Sequence, residues 1–247
     1  MNEEAAAIDT QPSYSNHGKY QLSGDLGIPE YLEETYWWAY LHPKAVSLFE
    51  RQWLVNLILW GNFSRLRDAA LNEIGTKFEG DNLQVACVYG DFSQQAASRL
   101  TTESRLDIVD VAPVQLENVK KKVKSFANVY LHHEDSSELS FDDESFDNVI
   151  LFFLLHEQPE EVREKTVREA LRVVKPGGKV VFVDYHNPRR INPFRYVMIP
   201  ILHFLEPFAL DLWKREITDW IPEDESPRSI HKETFFGSLY QKVVIRK

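Results

Sequence analysis

Between positions 31 and 75, Leu48, Leu54, Leu57, Ile58, Phe63 and Leu66 recur at roughly helical spacing, and Gly75 stands where a helix would stop. Two or three helices are predicted there. From Leu83 the period changes, and short apolar runs at 83–89, 105–111, 128–134, 146–153 and 178–186 read as strands. Helix-competent segments at 94–99, 113–126 and 158–174 separate them. Alternation of this kind predicts an α/β fold with a doubly wound, mostly parallel sheet covered on both faces. Residues 235–246 read as a strand end, a turn or bulge at Gly237 and a final strand, an antiparallel edge pair that brings the expected sheet to seven strands. The Lys175-Pro176-Gly177-Gly178 run reads as a helix stop and turn. The expected organisation is a flexible tail over 1–28 and one domain over 29–247, with a helical cap at 29–80 and an apolar and basic insertion at 188–229. That insertion is too long to be a bare connection.

Composition adds limits. The 247 residues are 43% hydrophobic and 27% charged, enough for one substantial core. A formal charge of -10 and the lack of a basic stripe argue against nucleic acid as a partner. The one cysteine, Cys87, excludes an intramolecular disulfide, and no Cys/His cluster suggests structural zinc. The acidic N-terminus lacks the charge pattern of a secretory signal, so a cytoplasmic protein is expected. Of the two most apolar stretches, 53–60 is too short to span a bilayer and 196–213 is interrupted by Pro200, Glu206 and Pro207.

In a doubly wound sheet, ligands bind beyond the carboxyl ends of the strands, near the switch in strand order. The first predicted strand leads into Tyr89-Gly90-Asp91, and the second ends at Asp110-Val111, at the interval expected of an acid that accepts ribose hydroxyls. The third leads to Asp135-Ser136, suited to an adenine amine, and the fourth brings Phe152 and Phe153 to the rim ahead of His156 and Glu157. Either aspartate also fits a plain capping or turn role.

The runs ELSFDDESFDNVILFFLLHE and REALRVVKPGGKVVFVDYH, within 83–186, resemble the middle and late motifs of class I S-adenosylmethionine-dependent methyltransferases, especially those of quinone biosynthesis. The resemblance implies a Rossmann-like seven-stranded fold and S-adenosylmethionine as cofactor. It makes Asp110 the ribose acid, Asp135 the adenine acid and Phe152 a border of the site. The first motif departs from the family pattern: Cys87 stands where an acid is expected, and of the usual glycines only Gly90 remains.

With the aromatic stretch 35–62 and the terminal FFGSLYQKVV, this altered loop resembles the family of rhodoquinone biosynthesis proteins. That resemblance implies replacement of a ubiquinone methoxy group by an amino group from S-adenosylmethionine, with Mn2+ as helper. Cys87 is then expected to leave the methionine ammonium less tightly held, with a small buried strand residue as the plain alternative.

His156, His186 and Tyr185 are the expected catalytic groups, either histidine being able to take a proton. Asp91 and Asp184 are the expected metal ligands, with His156 and His186 as further members of the set. His132, His133 and Glu134 alternate across a strand and cannot chelate together. Ubiquinone as substrate implies an apolar entrance, which Tyr36, Trp37, Trp38 and Tyr40 are placed to line or cover. Arg189, Arg190 and Arg195 beside the broken apolar stretch suit contact with the inner membrane surface. A true quinone methyltransferase and a non-catalytic lipid- or partner-binding protein are the alternatives.

Overall fold

The computed structural model describes residues 20–21, 26–37 and 41–247. A two-residue strand, β1 (Tyr20–Gln21), precedes four helices, α1 (Glu30–Tyr36), α2 (Pro43–Phe49), α3 (Gln52–Ile58) and α4 (Phe63–Ile74). The alternating region follows as β2 (Asp81–Val85), α5 (Phe92–Ser98), β3 (Arg105–Asp110), α6 (Pro113–Val123), β4 (Val129–His133), β5 (Phe146–Phe152), α7 (Glu160–Val173) and β6 (Val174–Tyr185). Next come α8 (Phe194–Leu205) and α9 (Pro207–Leu212), and the chain closes with β7 (Ser229–Phe235) and β8 (Tyr240–Arg246).

The strands form one sheet in the order β1-β4-β3-β2-β5-β6-β8-β7, parallel except at β8, which runs antiparallel to β6 and β7. This is the expected seven-stranded arrangement with β1 added beside Leu131 and His132. That strand lies inside the stretch read as a tail. The outer edge of β4 offers unpaired backbone groups that even two residues can meet.

The central strands are buried on both faces, which is why their sequences run apolar without alternation. Helix α4 covers one face with Phe63, Leu66, Ala70 and Leu71, spaced along a single stripe. Strand order reverses around β2, between β3 and β5, so the ligand-binding crevice of such a sheet lies beyond the carboxyl ends of these strands.

Two boundaries differ from the sequence reading. The last parallel strand opens at Val174, so the Lys175–Gly178 run read as a turn lies within β6, where its pairing with β5 shifts register. The first strand ends at Val85, four residues early, because Ala86 adopts φ 69° and turns the chain out of the sheet. The cap contains four helices where two or three were expected, since Glu50 to Arg51 and Leu59 to Asn62 break it.

The insertion is docked by Arg163 of α7. This fully buried guanidinium donates to the Leu155, Gln158 and Phe208 carbonyls at 2.8, 2.8 and 3.1 Å, joining the turn after β5 to α9. Phe208 also packs edge-on against Tyr31, with ring centroids 6.4 Å apart, so cap and insertion meet over the crevice.

Candidate functional site

Two adjoining hollows occupy the carboxyl end of the sheet. The first is a narrow cleft between β2, β3 and the turn after β5, lined among others by Ala86, Cys87, Asp110, Val111, Asp135 and Ser136. Tyr31 and Leu32 of α1 close it from above. The second is a largely apolar cavity of about 430 Å³, walled by α3, α4, α8 and the end of β5. Cys87, Gln115, Phe153 and Glu157 border both, so a ligand in the cleft would reach the cavity across them.

Asp110 lies at the base of the cleft. Its Oδ2 accepts the Cys87 N–H at 2.7 Å and its Oδ1 the Ala112 N–H at 2.8 Å, which fixes the loop after β2 to the end of β3. Burial pushes the carboxyl up to about 6, against the lowering effect of those two N–H bonds. Val111 accepts from His133 Nε2 through its carbonyl at 3.0 Å. Asp135 Oδ1 accepts both the backbone N–H and the hydroxyl of Ser137 at 2.8 Å, making it a turn former as well as a cleft residue. Ser136 is held by Gln158 Nε2 at 2.9 Å and Thr166 Oγ1 at 3.1 Å.

The loop after β2 is arranged differently from the expectation. Tyr89 faces the apolar cavity, stacked on Phe49 at 5.8 Å, with its hydroxyl accepting from Gln115 Nε2 at 2.9 Å. Gly90 and Asp91 line neither hollow. Lys122 Nζ donates to the Val88 and Gly90 carbonyls at 3.0 and 2.9 Å, and Arg67 Nη1 binds both Asp91 oxygens at 2.7 Å. These cations draw the loop onto the helices. Gly90 has φ 77°, which strains any other residue, and a Cβ there would also press on Gln52 Oε1 at 2.9 Å and Phe63 at 3.1 Å.

Cys87 does not end the strand. It lies beyond the turn at Ala86, its thiol pushed well above its usual value by burial and by Asp110. The side chain near the strand end is that of Gln84, a buried amide whose Nε2 donates to the Ala86 carbonyl and Ser93 Oγ, both at 2.9 Å. Gln84 thus lies within the strand and Cys87 outside it.

At the floor of the cavity, His156 is buried, with Nδ1 2.9 Å from Asp184 Oδ1 but off the line that a hydrogen bond requires. Burial opposes its charge, yet Asp184 outweighs burial and the ring is pushed up to about 9. Asp184 Oδ1 also accepts the Tyr185 N–H at 2.7 Å. The Tyr185 ring meets His156 edge-on at 4.9 Å, and burial pushes its hydroxyl well above the usual range. Phe152 borders only the cavity, stacked on Phe92 at 4.3 Å, whereas Phe153, with φ 55°, turns into the cleft in its place.

His186 does not join this group. Its Nδ1–H donates to the Ser238 carbonyl at 2.9 Å, and its Nε2 accepts from Lys232 at 2.9 Å, in a separate groove with Arg189, Arg190 and Arg195. The expected metal set is not assembled either. Asp91 is held by Arg67 and Asp184 by His156, and among the described residues no group of three or more His, Cys, Asp or Glu side chains could hold a metal ion. The residues present do not fit manganese.

Of the cap aromatics, Tyr36 is buried, with its hydroxyl towards Glu206, and Trp37 is exposed. Trp38 and Tyr40 lie outside the described residues. Sequence reasoning missed Tyr31, Gln115 and Gln158 in the cleft and Glu206 in the cavity wall. The signal for Glu206 was its place as a charge inside an apolar run.

Leu57, Ile58, Ile201 and Leu205 line the cavity and are also exposed, so they mark its mouth. Trp53, Tyr196, Val197 and Phe204, the last 80% exposed, extend an apolar surface around it. No helix among the described residues is long and apolar enough to cross a membrane.

Residues 83–178 match the sequence profile of a family described as methyltransferase domain. A demethylmenaquinone methyltransferase from Staphylococcus aureus (strain MRSA252) is 28% identical over 172 residues, covering 69% of this chain and 70% of the relative. The fold is shared with N-methyltransferase NodS from Bradyrhizobium japonicum WM9, solved in complex with S-adenosyl-l-homocysteine, at TM-score 0.58 and 13% identity over 85% of this chain and 98% of that one. Phosphoethanolamine N-methyltransferase 2 of Haemonchus contortus superposes at TM-score 0.62 and 16% identity, covering 91% of this chain and 60% of its own.

Proposed function

We propose that this chain, which has the fold of the class I S-adenosylmethionine-dependent methyltransferase superfamily, binds S-adenosylmethionine in the cleft and transfers a group from it to a prenylated quinone in the cavity. One observation carries this reading: a cleft at the switch point that holds Asp110, Asp135 and Ser136 meets a 430 Å³ apolar cavity at Cys87, Gln115, Phe153 and Glu157. The lining of the first hollow suits a nucleoside and that of the second a ring with an apolar tail. The demethylmenaquinone methyltransferase relative supports a quinone acceptor.

The transferred group is the amino group, which replaces a ring methoxy of ubiquinone to give rhodoquinone. Support comes from the loop after β2. The neutral Gln84 stands near the strand end, and Asp91, the loop's own carboxylate, is paired with Arg67 away from both hollows. The methionine ammonium would meet no carboxylate from this loop, which favours the neutral, nucleophilic amine. A methoxyquinone carbon is a vinylogous ester, open to addition by such an amine and loss of methoxide. Asp110 would hold the ribose and Asp135 and Ser136 the adenine end, while His156, charged beside Asp184, would donate from Nε2 to a quinone carbonyl.

The prenyl tail would leave through the mouth formed by Leu57, Ile58, Ile201 and Leu205. The surrounding apolar surface would rest on the inner membrane, with Arg189 and Arg190 of the insertion towards anionic headgroups. Incubation with ubiquinone and S-adenosylmethionine carrying heavy nitrogen on its amine tests this reading. An aminoquinone one mass unit heavier than its unlabelled counterpart supports it. A methylated product with S-adenosylhomocysteine refutes amino transfer.

A further inference from the structure

Glu206 is the one carboxylate that the insertion contributes to the cavity wall. It occupies the break between α8 and α9, where φ -139° and ψ 63° take the chain out of one helix before Pro207 begins the next. Its backbone N–H closes α8 on the Leu202 carbonyl at 2.8 Å, and its carbonyl accepts from Ala209 at 2.9 Å. The backbone is therefore fixed on both sides.

The carboxyl end is differently placed. Oε2 is sealed from solvent and meets no donor at full hydrogen-bond geometry, the Tyr36 hydroxyl being a donor beside the carboxyl group, whereas Oδ1 and Oδ2 of the neighbouring Asp184 both have partners or close contacts. Around it stand Tyr36 from α1, His156 and Glu157 from the turn after β5, Arg163 from α7, and Asp184 and Tyr185 from β6. Met198, Leu202 and Leu205 supply apolar surroundings on its own side. A carboxylate oxygen in such a place loses hydration without regaining a full set of donors, an arrangement found where a group must exchange a proton. If its only task were to neutralise His156, Asp184 already does so at 2.9 Å.

We infer that Glu206 is the proton acceptor of the acceptor site, its Oε2 facing the attacking nitrogen while His156 faces the quinone carbonyl from the floor. This deepens the proposed function and rests on it. As the amine nitrogen bonds to the methoxy-bearing carbon, an electron pair moves onto the carbonyl oxygen, and Glu206 takes the proton that the nitrogen releases. When the pair returns, the carbon–oxygen bond to methoxide breaks, and methoxide leaves as methanol with the proton from Glu206. The carboxylate is thereby regenerated. The nitrogen, still bonded to the α-carbon of the donor, is freed in a second stage. The α-proton leaves, the electron pair of that carbon–hydrogen bond reduces the ring to the quinol, and water hydrolyses the resulting imine to an aminoquinol and the 2-oxo acid of the donor.

The test compares the full chain with Glu206→Gln and Glu206→Asp, offering S-adenosylmethionine with a short-tailed ubiquinone and, separately, with a ring-demethylated quinol. The product made by the unaltered chain decides between amino and methyl transfer. The variant-to-parent ratio on whichever acceptor reacts decides the role of Glu206. Glu206→Gln should lower kcat roughly 10²- to 10⁴-fold with KM for both substrates within threefold, and should abolish the acid-side rise of kcat with pH. Glu206→Asp, which keeps a carboxylate at shorter reach, should retain an intermediate rate and the pH limb. A Glu206→Gln kcat within threefold of the parent, or a loss confined to KM, overturns the inference. Turnover of neither acceptor by the unaltered chain overturns both inference and function.

Discussion

The charge on His156 makes a prediction that needs no substrate. The ring is buried and pushed up to about 9 because Asp184 outweighs the desolvation that opposes its proton, whereas an unfolded histidine titrates near 6.5. Below pH 6.5 the imidazole is protonated in both states, and the stabilisation from its pairing is fully present. As pH rises through about 9, the folded state gives up the proton and that stabilisation is lost. At about 1.4 kcal/mol per pH unit per proton, the loss between pH 6.5 and 9 amounts to about 3 kcal/mol. Urea unfolding followed by tryptophan fluorescence at half-unit steps over this interval measures it. His156→Gln serves as reference, so that titrations elsewhere cancel. The parent curve should fall relative to the variant by about 3 kcal/mol, with a slope of at most one proton. Parallel curves would show that the imidazole is neutral in the fold and remove the donor assigned to the quinone carbonyl.

Two further outcomes are expected. Asp91→Asn should cost about 1–2 kcal/mol of stability in thermal unfolding, through the Arg67 contacts at 2.7 Å, while S-adenosylmethionine affinity by calorimetry stays unchanged because Asp91 lies outside the cleft. Replacing Arg189 and Arg190 together by Gln should weaken sedimentation with vesicles containing anionic lipid about thirtyfold, at about 1 kcal/mol for each basic side chain near the surface. Undiminished vesicle binding would place the membrane contact elsewhere.

The alternation of strands and helices was legible in the sequence because β-branched runs buried on both faces carry their own signature. The place of Asp110, Asp135 and His156 at the hollows was legible by the same logic, since topology alone sends strand ends to one rim. The loop after β2 was not legible. Val88 and Tyr89 favour strands individually, but the chain leaves the sheet at Ala86, and Lys122, Gln52 and Arg67 then pull the loop onto neighbouring elements. All three partners are distant in sequence, so no local pattern could show that Gly90 and Asp91 turn away. His186 was misplaced for a related reason: its partners Lys232 and Ser238 come from the terminal hairpin. Glu206 read as a mere interruption of an apolar run, because its meaning depends on Tyr36 and His156, which only the fold brings to it.

Helix α8 supplies Ile201 and Leu205 to the entrance and ends at Glu206. A substitution that widens the entrance for a bulkier tail shifts the helix end and, with it, the carboxylate. Changes in tail preference will therefore alter turnover as well, and a variant selected for a new tail will need a compensating change near the α8–α9 break before it regains speed.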